Sequence, residues 1–134
     1  MVWFMKSAPL RLLVVDESRS DRASFRRMLR SSSLSHVVHE TSSPWTLMRS
    51  SARIKPHCIF FEVLVNGTIA TGLLDTWRRS LRGKRIPVIV WTALSLPPLV
   101  QAAIQQMGTS GWLFKYGSSR EDLERTIRSA LQAR

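Results

Sequence analysis

Pro56-His57-Cys58-Ile59-Phe60-Phe61-Glu62 decides the fold. Apolar residues run without alternation into a single acid, the pattern of a strand buried on both faces of a parallel sheet. The acid falls at the carboxyl end, where open α/β sheets place their ligand sites. A carboxylate there needs partners, so the rest of the chain is read for what surrounds Glu62.

Upstream, Leu10–Val15 is strand-like and stops at Asp16-Glu17. Ser18 or Ser20 can cap a helix running to about Arg30, with Phe25, Met28 and Leu29 as its core stripe. Val37-Val38 marks a second, shorter strand. Ser43-Pro44 starts a helix, with Pro at the first helical position, and helical spacing points Trp45, Met48 and Ala52 inward. Downstream, Val65-Asn66-Gly67-Thr68 is a turn. A helix from about Thr71 to Leu81 buries Leu74, Trp77 and Leu81. Residues 86–92 form a fourth strand, and Pro97-Pro98 leads a helix through Val100, Ile104 and Met107, stopped by Gly108. Residues 111–115 form a fifth strand. Ser118 and Ser119 cap a last helix, with Glu121 and Asp122 at capping-box spacing and Leu123, Ile127 and Leu131 buried.

Five strand–helix units in strict alternation predict an α/β fold: a (βα)5 doubly wound parallel sheet of order 2-1-3-4-5. The 134 residues are expected to form one domain, core about 10–132, without an output domain. No apolar run reaches the ~20 residues of a membrane span. Met1–Met5 is apolar but short, and reads as a lead-in to the first strand rather than a signal peptide. The single cysteine, Cys58, allows no intrachain disulfide, and a reduced cytoplasmic setting is the simpler expectation.

In that strand order the ends of strands one, three, four and five converge. Asp16 and Glu17, Glu62, Thr92 and Lys115 are thereby gathered at one pocket. Crowded carboxylates raise each other's pKa and call for a cation, which Lys115 or a divalent metal could supply.

These stretches resemble the receiver domains of two-component response regulators, from about Leu10 to Leu131. The likeness is carried by Leu12–Ser18, Pro87–Ala93 and Gly108–Lys115, in order and at matching strand ends. The flavodoxin-like receiver fold is implied. So are roles: Asp16 and Glu17 as a Mg2+ pair, Thr92 and Lys115 as the switch hydroxyl and lysine, and Trp112 as the aromatic switch. The resemblance also implies a signalling partner (a histidine kinase, adaptor or effector), a surface for homodimers near Trp112, Tyr116 and the helix after Pro98, and no enzymatic activity of the chain's own.

Three departures stand against the matches. Glu62 occupies the place of the phosphoacceptor Asp. The loop after it is longer and lacks the usual proline. Tyr116 replaces the proline after Lys115, so that peptide is expected trans. One extra methylene carries the Glu62 carboxylate ~1.5 Å further, into phosphoryl space and away from the metal position. A pseudo-receiver follows, with partial mimicry of a phosphorylated state and weakened Mg2+ binding. A receiver still switched by phosphoryl or metal through an altered pocket remains open, as does a module for an anionic ligand.

The last reading rests on charge. The formal net charge is +11, and sixteen of twenty basic residues are Arg. Arg19, Arg22, Arg26 and Arg30 line one side of the first helix, and Arg120, Arg125 and Arg128 lie on the last. Arg78, Arg79, Arg82, Lys84 and Arg85 form a second cluster. A cyclic dinucleotide, nucleic acid or an acidic protein face would suit such surfaces, and a merely solvated surface is the alternative. No helix-turn-helix or zinc knuckle is evident. For His36, His39, His57 and Cys58, Cys58 is expected buried mid-strand and the histidines to come from different strands, which argues against zinc.

Overall fold

The computed structural model describes residues 8–80 and 83–132, apart from the Lys84 side chain. The expected lead-in at Met1–Met5, the burial of Leu81 and the place of Arg82 lie outside the described residues.

Five parallel strands form the main sheet: β1 (Leu10–Val15), β2 (His36–Thr41), β3 (Cys58–Phe61), β6 (Val88–Thr92) and β7 (Gly111–Phe114). Their order is β2-β1-β3-β6-β7, the predicted 2-1-3-4-5 arrangement. The chain also makes a small antiparallel hairpin, β4 (Leu64–Val65) and β5 (Thr68–Ile69), where the sequence indicated only a turn. Asn66 and Gly67 both have positive φ, at 51° and 76°. This is the left-handed pair that a two-residue hairpin turn needs.

The helices are α1 (Arg19–Arg30), α2 (Leu47–Ile54), α3 (Thr71–Arg79), α4 (Pro98–Gln105) and α5 (Arg120–Gln132). Strand residues alternate between two cores. Leu12, Val14, Phe60, Ile89 and Trp91 pack with Phe25, Leu29, Leu123 and Ile127 on the α1/α5 face. Leu13, Val15, Ile59, Phe61 and Val90 pack with Leu47, Leu74, Trp77 and Ile104 on the other. Phe25 tilts against Phe60 at 4.6 Å and meets Trp91 edge-on at 5.4 Å, filling the first core with aromatic area.

Local signals set the helix starts. The Ser18 hydroxyl accepts the Asp21 N–H and caps α1. Ser119 and Asp122 form a reciprocal capping box at α5: Ser119 N–H donates to Asp122 Oδ2 and Asp122 N–H to Ser119 Oγ.

Helix α2 departs from expectation. Trp45, 72% exposed, and Met48, 51% exposed, face solvent, and Ala52 is only half-buried. Leu47, Ser50 and Ser51 face the core instead. Pro44–Thr46 forms a 3₁₀ turn before α2 begins, so Trp45 lies outside the α-helical phase. Inside, Ser51 Oγ accepts the buried indole N–H of Trp77 at 2.9 Å, a bond no apolar residue could supply.

Candidate functional site

The pocket lies at the carboxyl edge of the sheet, where β1, β3, β6 and β7 end side by side. Asp16 and Glu62 directly follow β1 and β3, Thr92 closes β6, and Lys115 follows β7. Backbone ladders hold these ends in register: Glu62 N–H donates to Val15 O, and Lys115 N–H to Thr92 O.

At the centre is the Lys115 ammonium. Its Nζ lies 2.6 Å from Asp16 Oδ2, 2.8 Å from Glu62 Oε1 and 2.9 Å from Asp21 Oδ2. The side chains are 4% exposed for Lys115, 1% for Asp16 and 6% for Glu62, with Asp21 at 17%. Three carboxylates therefore share one internal cation in a nearly water-free space. The second oxygens are also used: Asp16 Oδ1 accepts the Ser18 N–H and Glu62 Oε2 the Leu64 N–H.

One cation cannot fully offset three acids. Burial holds the Asp16 carboxyl above the usual aspartate range, against the lowering effect of Lys115 and the Ser18 N–H. For Lys115, burial alone would lower the pKa, but the bonds to Asp16, Glu62 and Asp21 together outweigh it. The ammonium is held above the ordinary lysine value.

Asp21 is the member that sequence reasoning missed. It sits in the first turn of α1, which overhangs the end of β1. Its position just after the Ser18 cap was the available signal. The third carboxylate was expected to be Glu17. Glu17 is exposed and points elsewhere, accepting the Asn66 N–H at the hairpin turn at 2.8 Å. Neighbouring residues leaving a strand point to opposite sides, so Asp16 and Glu17 do not converge.

That arrangement does not suit Mg2+. Asp16 is bound to an ammonium and Glu17 is committed to the hairpin. Lys115 supplies the positive charge a metal would bring.

Thr92 is fully buried, but its hydroxyl has no hydrogen-bond partner among the described residues and does not hold Glu62. Trp112 is half-buried and packs against the α2/α3/α4 core, an inward position. The described peptides include no cis bond, so Lys115-Tyr116 is trans as expected. Tyr116 is exposed and its hydroxyl donates weakly to Asp21 Oδ1 at 3.4 Å.

The arginine faces are less free than their spacing suggested. Arg22 and Arg26 both bridge to Glu40 on β2, and Arg22 also donates to Asp16 O. Arg120 donates to Ser31 Oγ and pairs with Glu121, Arg125 pairs with Asp122, and Arg128 donates to Ser33 Oγ. Arg19 and Arg30 remain exposed on α1. Of the second cluster, Arg78 is structural: it donates to the carbonyls of Gly83, Ile86 and Gly108 and lies over the Trp77 ring at 5.2 Å. Arg79 pairs with Asp75, and Arg85 is exposed.

Comparison with known proteins supports the fold. No known family profile and no curated protein sequence matches the chain. Solved structures do. The Vibrio cholerae chemotaxis protein CheY4 superposes with a TM-score of 0.78 at 19% identity, covering 92% of this chain and 100% of that one. A putative response regulator from Chloroflexus aurantiacus gives 0.78 at 21%, covering 95% and 100%. The receiver domain of the sensor histidine kinase PA1611 from Pseudomonas aeruginosa gives 0.78 at 22%, covering 93% and 99%; that structure carries a coordinated magnesium ion in its active-site cleft. The chain thus has the flavodoxin-like receiver fold, at identities that speak to architecture alone.

Proposed function

We propose that this chain is a signalling module of the response-regulator type whose pocket is closed by its own charges. It acts through protein contacts, without phosphoryl transfer and without an enzymatic activity of its own. The observation that carries this reading is the 2.8 Å contact between Glu62 Oε1 and Lys115 Nζ, with Asp16 and Asp21 on the same ammonium.

In an acceptor pocket the attacking carboxylate must be free to align with a phosphorus atom, and a metal must offset the incoming charge. Here Glu62 spends one oxygen on Lys115 and the other on the Leu64 N–H. The lysine that would bind a phosphoryl oxygen already pairs with three carboxylates. A phosphoryl group would bring nearly two further negative charges into this space. The internal pairing instead resembles the charge balance of an occupied pocket, held permanently. A kinase, adaptor or effector in the cytoplasm would then read one fixed surface.

The test is incubation of the full chain with acetyl phosphate and Mg2+, followed by intact-mass measurement, with Glu62→Asp run alongside. The expected result is no phosphoryl adduct on the natural chain and no Mg2+-dependent change in tryptophan fluorescence. A base-labile adduct mapped to Glu62 would overturn the reading.

A further inference from the structure

The inverted helix α2 leaves an apolar surface that the pocket does not use. Single exposed apolar side chains are ordinary, but a contiguous patch beside a groove calls for a reason. Trp45 forms one wall of a groove of about 640 Å³. Val65 and Ile69 of the hairpin and Leu73 and Thr76 of α3 form the others. The volume is in the range of binding clefts. Among the described residues no charged side chain lines it.

Exposed basic side chains follow Trp45 on α2. Arg49 and Arg53, one turn apart on α2, are exposed and have no carboxylate partner among the described residues. On the opposite side Asp75 is already paired with Arg79, and Glu17 is bonded to the hairpin backbone. The result is a mainly apolar cleft walled in part by the turn leading into a helix that carries two exposed, unpaired arginines, on a chain of net charge +11.

We propose that this groove between α2, the β4–β5 hairpin and α3 is a docking site for an amphipathic segment of a partner protein. That segment would carry large apolar anchors and acidic flanking residues. Trp45 would close over the anchors, and Arg49 and Arg53 would meet the acids. Two other occupants fit less well. A second copy brings the same positive charge and sets arginine against arginine. An anionic bilayer matches the charge, but a flat surface cannot fill a concave cleft.

The inference rests on the contact reading above for its premise and names a surface for it. A phosphodonor assay and a docking assay fail independently, since the groove shares no lining side chain with the ion cluster.

The test uses the 15N-labelled full chain and two synthetic helical peptides with the same Leu/Phe stripe. One carries Glu on its polar face and the other Lys. The Trp45 indole N–H signal, assigned with Trp45→Phe, is followed on titration. The Glu peptide is expected to shift it, and to bind about tenfold more weakly to Trp45→Ala, as for a central aromatic anchor. Arg49→Glu/Arg53→Glu should weaken it as well, while the Lys peptide leaves the signal in place. Far-ultraviolet circular dichroism checks that the variants fold. The proposal is overturned if neither peptide binds, if both bind equally, or if Trp45→Ala binds undiminished. It is equally overturned if the surface proves instead to drive self-association abolished by Trp45→Ala, or to bind phosphatidylserine vesicles and neither peptide.

Discussion

Replacing Lys115 by Met tests the ion cluster directly. Methionine keeps much of the lysine stem's packing and removes only the charge. Asp16 and Glu62 would then be buried with no cation, and Asp21 nearly so. Removing one partner of a buried pair costs ~3–5 kcal/mol. We take about 3 kcal/mol at neutral pH, because the variant acids can relieve part of the cost by binding protons. Against a domain stability of ~5–15 kcal/mol this is a large loss. It corresponds to a melting temperature lower by roughly 10 °C, at the 3–5 °C per kcal/mol typical of this size. The pH dependence separates charge from packing. Without Lys115 the Asp16 carboxyl, already raised by burial, loses a partner that lowers it and rises further above its unfolded value. The folded variant then binds protons more tightly than the unfolded chain, so it gains stability as pH falls through the folded pKa values and loses it as pH rises. In the natural chain the raised Lys115 pKa keeps its contribution intact at every pH below the ordinary lysine value. The gap between the two proteins should therefore narrow from about 3 kcal/mol near neutral pH to about 1 kcal/mol near pH ~4.5. Urea unfolding followed by circular dichroism at both pH values measures it. A gap under ~1 kcal/mol at neutral pH would refute the buried cluster. A gap that does not change with pH would mean that lost packing, not charge, is responsible.

The Asp16 carboxyl should titrate above the usual aspartate range in a 13C carboxyl titration, because burial raises it; an ordinary midpoint would contradict its enclosure. Ser51→Ala should cost ~1–3 kcal/mol in urea unfolding, by leaving the Trp77 indole N–H unsatisfied in the core. Stability equal to that of the natural chain would show that the indole finds another partner. Gly67→Ala has open space for a Cβ, so its cost is the positive φ alone, about 1 kcal/mol. It should also speed hydrogen exchange at the Asn66 amide, which Glu17 holds; unchanged exchange would place that bond elsewhere.

The sheet was legible because a strand buried on both faces must be written as an unbroken apolar run. Leu12–Val15, Cys58–Phe61 and Val88–Trp91 are such runs, and all three are buried in the structure. The pocket was legible in part, since strand ends fix where Asp16, Glu62, Thr92 and Lys115 must lie. Side-chain direction was harder to read. Asp16 and Glu17 looked like a pair, but leave β1 on different sides. Asp21 was hidden because its place depends on how the first turn of α1 overhangs the sheet. Helix α2 misled through size. Trp45, Met48 and Ala52 share a helical spacing with Leu47, Ser51 and Ile54, and the larger side chains suggested the inner face. The inner face needed Ser51, for a tryptophan on another helix. The arginine stripe of α1 was read correctly as a stripe, but its acid, Glu40, lies on β2 opposite Val14 in the sheet register, a contact that no local spacing reports.

Two of the three departures from the usual receiver pattern, Glu62 and the loop after it, lie on one continuous stretch of chain. Glu62 closes the pocket with one oxygen, and with the other it accepts the N–H of Leu64, the first residue of the hairpin. Glu17, at the pocket's edge, accepts the N–H of Asn66 at the hairpin's turn. The hairpin then passes through Ile69 into α3 and forms a wall of the Trp45 groove. A shorter Asp in place of Glu62 would withdraw its carboxylate by ~1.5 Å and strain both the Lys115 and Leu64 contacts. The longer side chain thus does more than fill phosphoryl space. It ties the base of the hairpin to the sheet end while Glu17 ties its tip, so the hairpin wall of the groove is held in part by Glu62, one of the carboxylates on Lys115. On the contact reading proposed above, a surface fixed in this way would hold its binding shape without a phosphoryl group.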